Sequence, residues 1–171
     1  MSHVAAEHRA TSPQDVSAAV VTVSDTRTPQ TDTGGQLVCE LLGQAGVRIA
    51  AREIVPDEPA RVRALVEKFR DDPHVDAVLL TGGTGLSSRD TTFETVSSLI
   101  TRPLPGYGEL FRMLSYQEIG PAAMLSRAVG GLVDRTVVFT MPGSPAAVRL
   151  DRKSTRLNSS HIQKSRMPSS A

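Results

Sequence analysis

Four short apolar runs, Ala18–Ser24, Val47–Val55, Ala77–Thr81 and Thr136–Met141, recur along the chain, with helical patterns between them. Ala18–Ser24 and Ala77–Thr81 are nearly unbroken in Val, Leu and Ala, the pattern of strands buried on both faces. Gly34–Ala45 sets Leu37, Val38, Leu41 and Leu42 on one helical face and stops at Gly46. Pro59–Arg70 does the same with Val62, Leu65, Val66 and Phe69. Strand and helix alternating at this spacing leave few folds open. The chain is expected to be an α/β protein of three layers, a mostly parallel doubly wound sheet between helices. Phe93–Ile100 and Tyr107–Tyr116 read as further helices and Pro103–Gly106 as a turn. Met124–Val133 fits helix and strand equally, and a last helix begins at Ala146.

A chain of 171 residues is long enough for one domain with its own core. Aromatic residues make up 4% and Trp is absent, so that core must be aliphatic. No apolar run approaches the ~20 residues of a membrane span. Residues 1–16 lack the apolar segment of a secretion signal and read as a disordered lead. The single cysteine, Cys39, rules out an internal disulfide and falls among helical leucines as a buried thiol. Together these features point to the cytoplasm.

Residues 151–171 are polar, basic and aperiodic. On its own such a tail suggests contact with nucleic acid or anionic lipid. Residue for residue, however, Asp151–His161 and Ser165–Ala171 resemble one reading frame of a short-read sequencing adapter, with Ile162, Gln163 and Lys164 where an index would stand. The tail is therefore expected to be foreign to a domain spanning 17–150, whose last helix it cuts short. It carries five basic residues and one acid, so the chain's net charge of +1 becomes −3 over residues 1–150. The case for a nucleic-acid or membrane partner goes with it.

The run ending at Thr81 opens into Gly82-Gly83-Thr84-Gly85, with Asp90 shortly after. Glycines there let backbone N–H groups approach an anion, at the strand end where open α/β sheets bind ligands. No Gly-Lys-Ser/Thr follows, and the spacing is not that of a dinucleotide-binding turn. If the four runs are parallel strands, Asp25, Asp57, Gly82–Gly85, Gly143 and Ser144 share one rim. Each has a plainer reading: Asp25 and Asp57 as turn carboxylates, Asp90 and Ser144 as helix caps. Several acids beside two glycine turns instead suggest a divalent cation that offsets their repulsion and binds phosphate.

The segments Thr22–Arg27, Asp32–Gly35, Val55–Glu58, Leu80–Gly85, Arg89-Asp90, Pro105–Glu109, Ser126-Arg127 and Met141–Pro145 together resemble the MoaB/Mog family of molybdenum-cofactor biosynthesis proteins. The resemblance implies a molybdopterin-binding domain that forms trimers or hexamers. It also implies molybdopterin adenylyltransferase activity, with ATP and molybdopterin as substrates and Mg2+ as cofactor. A non-catalytic scaffold of the same fold is the alternative, and the pathway's molybdate-inserting enzyme is an implied partner. By matching position, Asp57 and Asp90 would hold Mg2+ and act in catalysis. Gly82, Gly83, Thr84 and Gly85 would cradle phosphate through their N–H groups, and Gly143 and Ser144 would hold the pterin or its phosphate. Asp25 and Glu94 are further ligand-binding positions. Two departures stand out: Gly34 where the family usually has Ser, and Phe93 where Pro commonly precedes the acid at Glu94.

Overall fold

The computed structural model describes residues 15–144 and Val148. Six strands form one sheet: β1 (Ser17–Val23), β2 (Arg48–Val55), β3 (Ala77–Thr81), β4 (Arg102–Pro103), β5 (Gly130–Val133) and β6 (Thr136–Met141). Their order is β2-β1-β3-β6-β5-β4. The first four in that order run parallel, while β5 and β4 are antiparallel additions at one edge. The helices are α1 (Thr33–Gln44), α2 (Pro59–Asp71), α3 (Thr92–Leu99) and α4 (Pro105–Ile119), and a 3-10 turn follows over Gly120–Leu125. Pro at the first position opens both α2 and α4, where its missing N–H costs nothing.

Every residue of β1 and β3 is buried, as expected for central parallel strands. Alternation sorts their side chains to opposite faces. Ala18 and Val20 join Val38 and Leu42 of α1 and Tyr107 and Phe111 of α4. Ala19, Val21 and Val23 join Val62, Val66 and Phe69 of α2 and Val96 of α3. Two apolar layers around one sheet make the expected three-layer α/β architecture. Among the described residues, no helix is long and apolar enough to cross a membrane.

Two segments differ from the sequence reading. Pro103–Gly106 is not a turn: Arg102 and Pro103 pair with Leu132 and Gly131, and Pro105 begins α4. The ambiguous stretch Met124–Val133 is neither one helix nor one strand, because it passes from the 3-10 turn into β5. β5 escapes a propensity reading because it opens on Gly130-Gly131. A side chain at Gly130 would lie 2.5 Å from the Phe139 ring. Omitting it lets Phe139 pack against Tyr107 at 4.6 Å between ring centres. Residues 1–14 of the lead and the tail at 151–171 lie outside the described residues. So does the last helix, except Val148, which is helical, buried against the α1–α4 layer and donates its N–H to the Ser144 carbonyl at 3.0 Å.

Candidate functional site

Register sets the rim. Val23 lies beside Val55, Thr22 beside Thr81, and Thr81 beside Met141, so four parallel strands end level with one another. Asp25, Asp57, Gly82–Gly85 and Gly143 therefore emerge on the same edge, the carboxyl edge of the parallel strands. Gly82 stitches that edge together. Its φ is +106°, a side chain there would strike the Val23 carbonyl at 2.2 Å, and its N–H donates to the Met141 carbonyl at 3.0 Å. The expectation that Gly82 gives its N–H to a phosphate is thus corrected, since β6 already takes that donor. The N–H groups of Gly83, Thr84 and Gly85 donate to no group among the described residues.

Gly143 packs on Gly82, and its carbonyl occupies the place where a Gly34 side chain would stand, 2.9 Å from that Cβ position. That contact accounts for Gly34. The helix cap comes from Asp32, whose Oδ1 accepts the Gly35 N–H at 2.9 Å. Asp32 is buried, and its Oδ2 also accepts from Thr22 Oγ1 at 2.8 Å and Arg52 Nη2 at 2.8 Å. Burial raises the tendency of this carboxyl to protonate, but Arg52, the Gly35 N–H and the Thr22 hydroxyl outweigh it and hold Asp32 below the ordinary carboxylate range.

The rim acids do not repel one another across an open gap, as the sequence reading assumed; each has protein partners. Asp57 is buried, and its Oδ1 accepts the N–H of Thr91 at 3.2 Å and its hydroxyl at 2.6 Å. The Asp57 N–H donates to Asp25 Oδ1 at 3.2 Å, and Arg89 Nη2 lies 2.5 Å from Asp25 Oδ2. Arg89, then the Asp57 N–H, hold Asp25 below its ordinary carboxylate range. Asp90 Oδ2 accepts the Ser87 N–H at 3.0 Å. Asp90 is not the cap of α3, because Thr91 takes that position without a side-chain cap bond. Among the described residues, no three or more His, Cys, Asp and Glu side chains group as a metal site.

Two carboxylate oxygens, Asp57 Oδ2 and Asp90 Oδ1, accept no hydrogen bond among the described residues. Both acids lie against the glycine loop. A Cβ at Gly83 would stand 2.3 Å from Asp57 Oδ2, and one at Gly85 would stand 2.7 Å from Asp90 Oδ2. Mg2+ is commonly held by one or two carboxylates, with waters and substrate phosphates completing its shell. Two carboxylates, each with an uncommitted oxygen beside a glycine cradle, fit that requirement. A groove of about 500 Å3 adjoins the loop, lined by Pro59, Arg63, Ser87, Asp90, Glu94 and Arg127 among others. Its size suits a small-molecule ligand.

Arg127, just before β5, had no role assigned from sequence. Its Nε donates to the Thr84 carbonyl at 3.2 Å and its Nη2 to the Asp90 carbonyl at 2.9 Å and to the Gly85 carbonyl. Nη1 pairs with Glu94, and the guanidinium lies 5.3 Å from the Phe93 ring centre. Glu94 and Phe93 thus both serve Arg127. The only sequence signal for it was its place in the Ser126-Arg127 segment. Thr92 was also missed: it is fully buried, and its hydroxyl has no partner among the described residues. Ser144 is exposed beside Gly143 at the start of the final helix.

A doubly wound sheet with glycine turns and carboxylates along its carboxyl rim defines an α/β ligand-binding domain with an anion-receptive edge. Residues 19–151 match the family described as a probable molybdopterin binding domain, and the chain belongs to that family. It is 50% identical over 145 residues to molybdenum cofactor biosynthesis protein B of Bacillus cereus, covering 84% of this chain and 86% of that protein. A crystal structure of a molybdenum cofactor biosynthesis protein B superposes with TM-score 0.85 at 48% identity, over 89% of this chain and 96% of the other. The tungsten cofactor synthesizing protein MoaB of Pyrococcus furiosus superposes with TM-score 0.77 at 35% identity, over 89% and 97%.

Proposed function

We propose that this protein takes part in molybdenum cofactor biosynthesis, binding molybdopterin at the carboxyl rim and adenylylating it from MgATP. The observation that carries the reading is the loop from Gly83 to Gly85, whose three N–H groups are uncommitted among the described residues and which packs against Asp57 at one end and Asp90 at the other. In the reaction a terminal phosphate oxygen of molybdopterin forms a bond to the α-phosphorus of ATP. The bond to the β-phosphate breaks, and pyrophosphate leaves. The attacking group is already anionic, so little general base is needed and positioning dominates. Gly83, Thr84 and Gly85 orient phosphate through their N–H groups. Gly143 and Ser144 form the opposite wall for the pterin or its phosphate. Asp57 Oδ2 and Asp90 Oδ1 would hold Mg2+, which supplies charge neutralisation. Asp25 fixes Asp57 from behind.

The relatives' printed names support the pathway, and the rim geometry supports the chemistry. We place the protein in the cytoplasm as a homo-oligomer, trimeric or hexameric, that hands its product to a molybdate-inserting enzyme. Support for self-association comes from Met113, Tyr116, Ile119, Met124 and Leu125, large apolar side chains exposed along α4 and the 3-10 turn.

A second reading, a pterin-binding scaffold without turnover, draws on the partnered state of every rim acid and on the absence of a larger metal-ligating group among the described residues. AMP transfer from MgATP to molybdopterin separates the two. The adenylyltransferase reading expects transfer by the wild type, reduced at least about a hundredfold in Asp57→Asn and Asp90→Asn, the scale of losing a preorganised charge contact. A folded wild type that binds molybdopterin and transfers nothing establishes the scaffold.

A further inference from the structure

We infer that Arg127 is a positioning residue that sets the shape of the glycine loop. The inference rests on the reading of that loop as the phosphate site. A loop that offers its N–H groups outward leaves its carbonyls facing the protein, where they need donors. Three carbonyls of this segment, those of Thr84, Gly85 and Asp90, accept from the one guanidinium. These contacts reach across 43, 42 and 37 residues of chain, so they fix the loop from a different part of the fold. Nothing else among the described residues donates to the Thr84 or Gly85 carbonyl.

The guanidinium is itself held in place. Glu94 pairs with Nη1, and the Phe93 ring lies beneath the planar group. Phe93 thus gains a specific use: where the family commonly has proline, this chain has a ring on which the arginine rests. A planar fork with several fixed donors suits three carbonyls in different directions, whereas the single ammonium of lysine does not. Arg127 therefore acts through the loop and touches no reacting atom. It keeps the N–H groups of Gly83, Thr84 and Gly85 facing the ligand before any ligand arrives.

The test uses the full chain with Arg127→Gln and Arg127→Lys. Amide hydrogen exchange is read without ligand at Asp90 and Thr92, whose N–H groups close the loop on the Ser87 and Gly83 carbonyls at 2.9 and 3.1 Å, and MgATP binding is read by calorimetry. Both variants should exchange these amides at least about tenfold faster than wild type, since each charge-assisted bond lost is worth more than one tenfold step. MgATP affinity should fall about tenfold in both, with the native far-ultraviolet circular dichroism retained. Arg127→Lys matching the wild type in exchange would overturn the inference, since charge alone would then suffice. Unchanged exchange in Arg127→Gln would overturn it as well. Faster exchange in both variants while the wild type binds no MgATP would leave the loop-setting role standing and remove the adenylyltransferase reading.

Discussion

Three glycines illustrate how much a single position can mean. At Gly82 the backbone has φ +106° and a Cβ would collide with the Val23 carbonyl at 2.2 Å. Gly82→Ala is expected to cost at least about 3 kcal/mol, combining left-handed strain with a backbone clash. Its thermal midpoint should fall by on the order of 10 °C. Gly43, inside α1, has nothing within 4 Å of its Cβ position. Gly43→Ala should stabilise by about 0.5–1 kcal/mol, and differential scanning calorimetry on the pair checks both signs. Gly34 falls between them, kept small by the Gly143 carbonyl. At this scale the sequence marked positions without their duties. Gly82 was legible as a loop glycine, but that its N–H is spent on Met141 depends on β6 lying alongside β3. Arg127 was invisible for a similar reason: its partners are carbonyls, which every residue has.

At the scale of elements, α1 is tied to the sheet through its cap. Asp32 accepts from the first turn of α1, from Thr22 on β1 and from Arg52 on β2. Asp32→Ala removes a cap worth about 1 kcal/mol, takes its acceptor from the Thr22 hydroxyl and the carboxylate from Arg52, which keeps Gln36 and the residue-32 carbonyl, for a total of about 2–4 kcal/mol. Because the folded carboxyl is held below its unfolded value, ionised Asp32 stabilises the fold. That contribution is complete above the unfolded value, about 3.9, and is lost as pH falls through the lower folded one. The gap in thermal midpoint between wild type and Asp32→Asn should be constant near neutrality and narrow below about pH 4. A gap independent of pH would show that the charge contributes nothing. The regular elements were legible because burial on both faces writes itself as continuous apolar runs: the sequence bounds of β3 and β6 agree with the structure residue for residue. β4 and β5 were not legible, having two residues in one case and two leading glycines in the other.

For the whole molecule, the apolar residues left uncovered on α4 and the 3-10 turn set an expectation about assembly. Met124 is 76% exposed and Ile119 55%, high values for side chains of this kind. The double variant Ile119→Glu with Met124→Glu should sediment as a monomer where the wild type sediments as a trimer or hexamer. A monomeric wild type would remove the homo-oligomer from the proposal. The three-layer plan and the rim were legible from the alternation of elements alone, since parallel strands force their following loops to one edge. Which rim groups pair with one another was not, because that depends on contacts between distant segments.

The long reach of those pairings bears on how the protein is made. Asp25, Asp57, Asp90 and Glu94 all precede residue 95, yet the groups that shape the loop among them, Arg127 and Met141, come later. A chain emerging from the ribosome therefore carries every acid of the rim well before it has the parts that arrange them. The pairing of Ala77 with Val137 closes one of the longest loops in the sheet, and such closures come late. A nascent chain would thus bear the residues of the proposed phosphate site without the site itself, and under that proposal would have no means of holding a nucleotide before the rest of the domain is in place.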